Sequence, residues 1–214
     1  MADTVKRMAT PRHDRRKALV LAALALLGGL VWSGWRPYDR GTWLLEVLPV
    51  MVVLPILWAT YKRFPLTTLL YVCIFLHALV LMLGGAHTYA RVPLGFALQE
   101  WLHFERNPYD RIGHFFQGFV PAIAAREILL RGKFVNGKWM LSFLVVCVVL
   151  AVSVTYEFIE WGTALALGGG AVEFLGTQGD PWDTQWDMFM ALVGSLTALL
   201  LFSRLHDRQI SRLS

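Results

Sequence analysis

Charge is scarce in this sequence. Of its 214 residues, 16% are Asp, Glu, Lys or Arg and 56% are hydrophobic, whereas soluble domains carry about 25% charged residues. That balance excludes a conventional water-facing domain and leaves a single integral-membrane domain. Cysteine is nearly absent, since Cys73 and Cys147 are the only two and both lie inside apolar runs. Neither a disulfide framework nor a thiolate metal pair is available. Phosphate-loop and dinucleotide fingerprints are missing too, because Gly168-Gly-Gly follows no strand and precedes no Gly-Lys-Ser/Thr. No Ser-His-Asp pattern supports covalent catalysis, although Ser153 lies one turn before Glu157. Repeats and low-complexity tracts do not occur. The net charge of +5 does not indicate nucleic acid, because the basic residues form short clusters between apolar runs rather than one charged surface.

What the sequence does have is a succession of apolar runs. The spacing predicts an all-α, polytopic protein with spans at residues 18–35, 43–60, 66–85, 109–130, 139–165 and 187–205, each near the length that crosses a bilayer. These make a six-helix transmembrane domain over residues 18–206, flanked by basic tails at 1–17 and 207–214. The first tail is expected to be disordered or to lie on the membrane surface. The first run follows a basic start, as a signal peptide does, but it ends in Val-Trp-Ser-Gly-Trp without a small-x-small cleavage site. It is therefore read as an uncleaved span. Pro49 and Pro55 predict a kinked second helix. The connection 86–108 contains Phe96-Ala-Leu-Gln-Glu-Trp-Leu, an expected interfacial helix anchored by Trp101. Residues 166–186 form a polar Gly-rich loop.

Lys and Arg positions orient these spans. The N-terminal tail, Lys62-Arg63, Arg126, Arg131, Lys133, Lys138, Arg204, Arg208 and Arg212 fall on one side, against Arg36, Arg40, Arg91, Arg106 and Arg111 on the other. By the positive-inside rule both termini are expected to be cytoplasmic, in a bacterial inner membrane.

The unusual polar groups gather at the outer ends of the last three spans. In Asn107-Pro-Tyr-Asp-Arg-Ile-Gly-His-Phe-Phe-Gln, Asp110, His114 and Gln117 fall at i, i+4 and i+7, on one helix face, beside Arg111. The fifth span adds Tyr156, Glu157 and Glu160, the glutamates at i, i+3 and able to share a face; the sixth and its entry loop add Asp180, Asp183 and Asp187. A charged side chain costs roughly 2.5–3.5 kcal/mol at the centre of a membrane helix. Clustered carboxylates therefore need protons, cationic partners or a bound ion. Carboxylate oxygens with one imidazole suit zinc, manganese or magnesium, which makes Asp110, His114, Glu157, Glu160 and Asp187 the candidate metal ligands. The bland reading has Asp110 capping a helix, Arg111 paired with Glu157, and Asp183 and Asp187 favouring a helix start. His77 is read as a helix contact, His87 and His103 as loop residues, and Glu127 as a structural partner of Arg126 and Arg131. Glu46 can snorkel or join the cluster.

The stretches from Arg106 to Arg131, Tyr-Glu-Phe-Ile-Glu-Trp-Gly at 156–162 and Gly-Asp-Pro-Trp-Asp-Thr-Gln-Trp-Asp at 179–187 resemble the YjdF-type inner-membrane proteins, a bacterial family without an assigned reaction. More distantly, the pattern is similar to the VanZ-like family, with Asp110, His114, Phe115, Glu157 and Asp187 at the matching positions. Glu160 stands where VanZ-like segments often have glutamine, and the loop before the last helix is longer. The function expected from the residues is a membrane enzyme or processing factor acting on a lipid or lipid-linked envelope substrate at the outer face. In it His114 or Glu157 would serve as general base and Asp110, Glu160 and Asp187 would bind metal or orient that base. The competing expectations are proton or metal-ion transport, and a noncatalytic membrane partner that docks through its acidic outer loop.

Overall fold

A computed structural model describes residues 12–167 and 177–213. Residues 1–11 of the expected tail, 168–176 of the Gly-rich loop, and 214 lie outside the described residues. The described chain is helical, with no strand: α1 (Arg12–Trp35), α2 (Arg40–Thr60), α3 (Thr68–His87), α4 (Pro93–Leu102), α5 (Tyr109–Arg131), α6 (Lys138–Leu167) and α7 (Asp183–Thr197). The last of these runs through a π turn at Ala198–Phe202 into α8 (Ser203–Ile210).

Five of these segments are long and apolar enough to cross a membrane: α1, α2, α3, α6 and the continuous α7–α8 helix. At 23 residues α5 is also long enough, but it carries Asp110, Arg111, Arg126, Glu127 and Arg131. It is tolerated because α3, α6 and α7 surround it, so that Asp110, His114, Arg126 and Glu127 are buried in protein. The outer helices turn Leu21, Leu24, Val31, Leu200 and Leu201 outward. Exposed Trp35, Trp58, Trp101, Trp139 and Trp182 lie at or near helix ends, where amphipathic rings favour the membrane–water boundary.

Local chemistry sets the helix limits. The Asp39 carboxylate caps α2 by accepting from the Thr42 backbone N–H at 2.7 Å and its hydroxyl at 2.9 Å, and Thr67 caps α3. The second span thus starts at Arg40 rather than 43, and α2 continues through Pro49 and Pro55 to Thr60. The expected interfacial helix begins at Pro93, and Trp101 is exposed.

Both tails are shorter than hydropathy suggested. Residues from Arg12 are helical, and the Arg15 guanidinium donates to the Leu66 carbonyl and lies 5.6 Å from the centroid of the Tyr71 ring. At the other end the helix reaches Ile210, because His206 is buried and Asp207 pairs with Arg126 at 2.6 Å. Charged residues that hydropathy assigns to water have found partners in neighbouring elements.

The closest helix pair is α5 with α7. A Cβ on Gly118 would lie 1.9 Å from the Ala191 carbonyl oxygen, and one on Gly194 would lie 2.1 Å from that of Phe115. Backbone therefore meets backbone. Around this contact a buried core joins Leu70, Cys73, Phe119, Ile123, Val145, Val149 and Ala191, while Leu26, Val47, Val50, Ala78 and Met82 join α1 to α2 and α3.

Candidate functional site

Asn107 sets the start of α5. Its side chain is almost fully buried, its Oδ1 accepts from the Tyr109 N–H at 3.0 Å, and its Nδ2 donates to the Ala90 and Val92 carbonyls at 3.2 and 3.1 Å. The helix start is thereby locked to the connection that follows α3. One turn apart, Asp110 and His114 then project into the bundle, where the tight α5–α7 contact brings Asp187 to meet them.

The His114 Nε2 lies 3.6 Å from Asp110 Oδ1 and 3.7 Å from Asp187 Oδ2. All three residues are buried, and they offer ligand atoms within 4.8 Å of one another. On the far side of the ring, Nδ1 is 2.9 Å from Gln117 Oε1. An amide oxygen only accepts, so this contact puts a proton on Nδ1 and turns Nε2 toward two carboxylates. With no proton or cation among them, the three would be mutually repelling acceptors. Asp110 Oδ2, Asp187 Oδ1, Glu157 Oε1 and Ser153 Oγ are also buried without a hydrogen-bond partner. Native proteins rarely leave such groups without a protein, water or ion partner.

Beside this cluster lies a cavity of about 110 Å³, bordered by Glu46, His77, Asp110, His114, Gln117, Tyr156 and Glu160. Tyr89 reaches its edge through a slot between two glycines: a Cβ on Gly84 or on Gly113 would each come within 2.6 Å of its ring. Burial, and next the Glu46 carboxylate, holds the Tyr89 phenol well above its usual range. It remains a hydroxyl donor, suited to the hydrogen bond it shares with Glu46.

The other candidates divide. Glu157 faces the start of α7, near Thr184 and Asp183, while Glu160 faces the cavity and Glu46. An i, i+3 pair is offset by only about 60° around the axis, close enough to share a face. Both are within electrostatic reach of His114, and Glu160 is within reach of Glu157. Asp183 pairs with Arg106 at 2.6 Å. Arg111 pairs with Asp180 at 3.4 Å, not with Glu157, and stacks over Trp186 at 4.9 Å. Asp180 also accepts from the Trp182 N–H at 2.9 Å. These ion pairs hold the end of the Gly-rich loop over the cluster. Asp110 does not cap α5; Asn107 satisfies that end instead.

Sequence reasoning undervalued His77, whose Nε2 lacks a partner at the cavity wall and whose ring stacks on Phe116 at 6.2 Å. A histidine inside an apolar run was the available signal. Asn107 and Tyr89 gave none, since their roles depend on non-local packing. His87 and His103 do not border the cavity. His103 instead lines a larger groove, about 960 Å³, with Leu98, Leu102, Phe104, Arg106, Arg111, Asp180 and Met190. Its lining mixes apolar and charged side chains, and it abuts the site through Arg106 and Arg111.

Residues 18–208 match the model of a family described as a predicted membrane protein, DUF2238. The inner membrane protein YjdF of Escherichia coli strain K12 is 58% identical over 198 residues, spanning 92% of this chain and 95% of that protein. No solved structure matches.

Proposed function

The chain belongs to the DUF2238 family of predicted membrane proteins, and we propose that it binds a divalent cation through Asp110, His114 and Asp187 and acts on a lipid or lipid-linked envelope substrate. In this reading it is a six-span protein of the bacterial inner membrane, with α5 as the span that α3, α6 and α7 surround. Both termini are cytoplasmic, as the Lys and Arg distribution supports, and the site opens toward the outer face.

One observation carries the proposal: buried ligand atoms from two helices, one imidazole and two carboxylates, with Nε2 at 3.6 and 3.7 Å from the acids. Ligand atoms held at about 2.1 Å from one ion lie roughly 3.0–3.4 Å apart, so a small closure completes the set. Zinc, manganese and magnesium accept such donors. The bound ion would polarise an ester or phosphoryl oxygen, or lower the pKa of a water.

The chain's own groups supply the rest. Gln117 fixes the imidazole so that Nε2 is the ligand atom, a role that orienting partners commonly play. Glu157, with one oxygen unpartnered, is the candidate general base. Tyr156 and Glu160 line the adjoining cavity and would orient the reacting group. The groove between α4, α5 and the end of the Gly-rich loop matches an amphipathic substrate, with Phe104 and Met190 for its apolar part and Arg106 and Arg111 near its head. Asp110, His114, Phe115, Glu157 and Asp187 are also the positions on which the expected VanZ-like resemblance rests.

Metal content tests the proposal. Protein purified without chelator is expected to carry stoichiometric zinc, manganese or magnesium, and Asp110→Asn, His114→Ala and Asp187→Asn are each expected to lose it. Cells bearing His114→Ala should also accumulate a lipid or envelope precursor. A folded wild type with only background metal, unresponsive to all three added ions, would end the proposal.

A second reading, transport of a proton or metal ion, draws support from His77, which carries the cavity to the middle of α3. Ion flux in proteoliposomes that Glu157→Gln abolishes would favour it over chemistry.

A further inference from the structure

At the opposite end of the bundle from Asp110, α1, α2 and α3 border a groove of about 660 Å³, within the range of about 300–1,000 Å³ typical of ligand pockets. Its walls are apolar, including Ala23, Leu26, Leu57 and Phe75, and its mouth carries Arg16, Lys62 and Tyr61. No carboxylate of the described residues lines it. Arg16 and Lys62 are exposed, and neither has an ion pair among the described residues. A further hollow of about 370 Å³ on the other flank of α1 shares Arg16 and adds Lys17.

The neighbouring Arg15 is already committed, to the Leu66 carbonyl and the Tyr71 face. Through it the start of α1 is fastened to the α2–α3 connection, which holds Arg16 over the groove. The structural cation and the available cations are therefore different residues. An apolar slot whose mouth carries exposed positive charge complements one kind of occupant, a lipid whose acyl chain follows the slot and whose anionic head meets Arg16 and Lys62.

We propose that the groove between α1, α2 and α3 is a specific site for an anionic diacylglycerophospholipid, held at its head by Arg16 and Lys62. It lies apart from the candidate metal cluster and does not depend on it. Zwitterionic lipids would occupy the same slot without the charge contacts.

The experiment compares retention of phosphatidylglycerol and phosphatidylcholine by the full-length protein, purified in mild detergent and measured by native mass spectrometry. Two cations at a membrane surface are expected to favour the anionic lipid by about 25-fold. The double variant Arg16→Gln, Lys62→Gln should lose most of that preference, while Lys133→Gln, Lys138→Gln, which removes two positive charges outside the groove, should keep it. Filling the slot with Ala23→Trp should reduce retention of both lipids, and thermal unfolding identifies variants that have not folded. Equal retention of the two lipids by the wild type would overturn the proposal, as would a preference lost equally from both double variants.

Discussion

Replacing Gly118 by alanine should separate the two halves of the candidate site without touching a ligand. The added Cβ would lie 1.9 Å from the Ala191 carbonyl oxygen, where ordinary contact needs about 3.4 Å, so α5 and α7 must part by about 1.5 Å at that level. Gly118 is one turn below His114, and Ala191 is one turn below Asp187. The separation therefore passes directly to the Nε2–Oδ2 distance, which would grow from 3.7 Å to about 5 Å. An ion with bonds of about 2.1 Å bridges no more than about 4.2 Å, so it could no longer hold both residues. The strain itself should cost about 1–3 kcal/mol, as over-packing commonly does. The assay is metal content by mass spectrometry, together with the thermal unfolding midpoint in detergent with and without chelator. Gly118→Ala should lose the bound ion and the chelator-sensitive part of its stability. Gly28→Ala is the control, since nothing lies within 4 Å of its added Cβ and a helical glycine gains up to about 1 kcal/mol on such a change. Should Gly118→Ala keep its metal and its midpoint, the backbone contact does not set the site and the reasoning fails.

Other expectations follow from single contacts. Asp39→Ala removes the cap of α2 and should cost about 1 kcal/mol, read from thermal unfolding. The Thr42 backbone N–H, and next its hydroxyl, hold the Asp39 carboxyl below its ordinary value of 3.8. Its contribution should be complete above that pH and fade as the pH falls below it, a dependence Asp39→Asn should abolish. Asn107→Ala leaves the half-buried Ala90 carbonyl and the Tyr109 N–H without their side-chain partner, and takes one donor from the Val92 carbonyl, which keeps the Gly95 and Phe96 N–H groups. A loss of about 3 kcal/mol is expected, with weaker metal retention because the start of α5 is no longer fixed.

The helical, membrane-embedded class was legible from apolar run lengths, and five of the predicted runs correspond to helices suited to crossing a bilayer. Residues 109–130 were recognisable as a helix, but their central position was not, because the burial of Asp110, Arg126 and Glu127 arises from neighbours distant in sequence. The i, i+4 spacing of Asp110 and His114 could be read directly, as it is a property of one helix. Their meeting with Asp187 could not, because it depends on Gly118 and Gly194 allowing two backbones to touch. Composition treats those glycines like the glycines of loops. Hydropathy likewise ended the helices too early at both termini, where Arg15 and Asp207 are stabilised by partners that no local window contains.

The two ends of α5 use carboxylates differently, and this supports a one-sided site over a continuous path. Glu127 is saturated: it accepts from the Thr67 N–H and hydroxyl, from Arg131 at 2.8 Å and from His206 at 3.0 Å. Asp110 and Asp187 each keep an unpartnered oxygen. From Gln117 to Arg126 is about 13 Å along the axis, and the buried residues between include Phe119, Val120, Ala122 and Ile123, none of which relays a proton through its side chain. The contrast can be tested by a double dissociation. Glu127→Ala strands the buried His206 and takes the carboxylate from the half-buried Arg131, and should cost about 3–5 kcal/mol, with metal content unchanged in the protein that remains folded. Asp187→Asn should lose the metal, yet in chelator it should be at least as stable as the wild type, because it removes one of several mutually repelling buried carboxylates. If Asp187→Asn in chelator is destabilised as severely as Glu127→Ala, the acidic cluster is a structural network like the one around Glu127, and the proposed cation site falls.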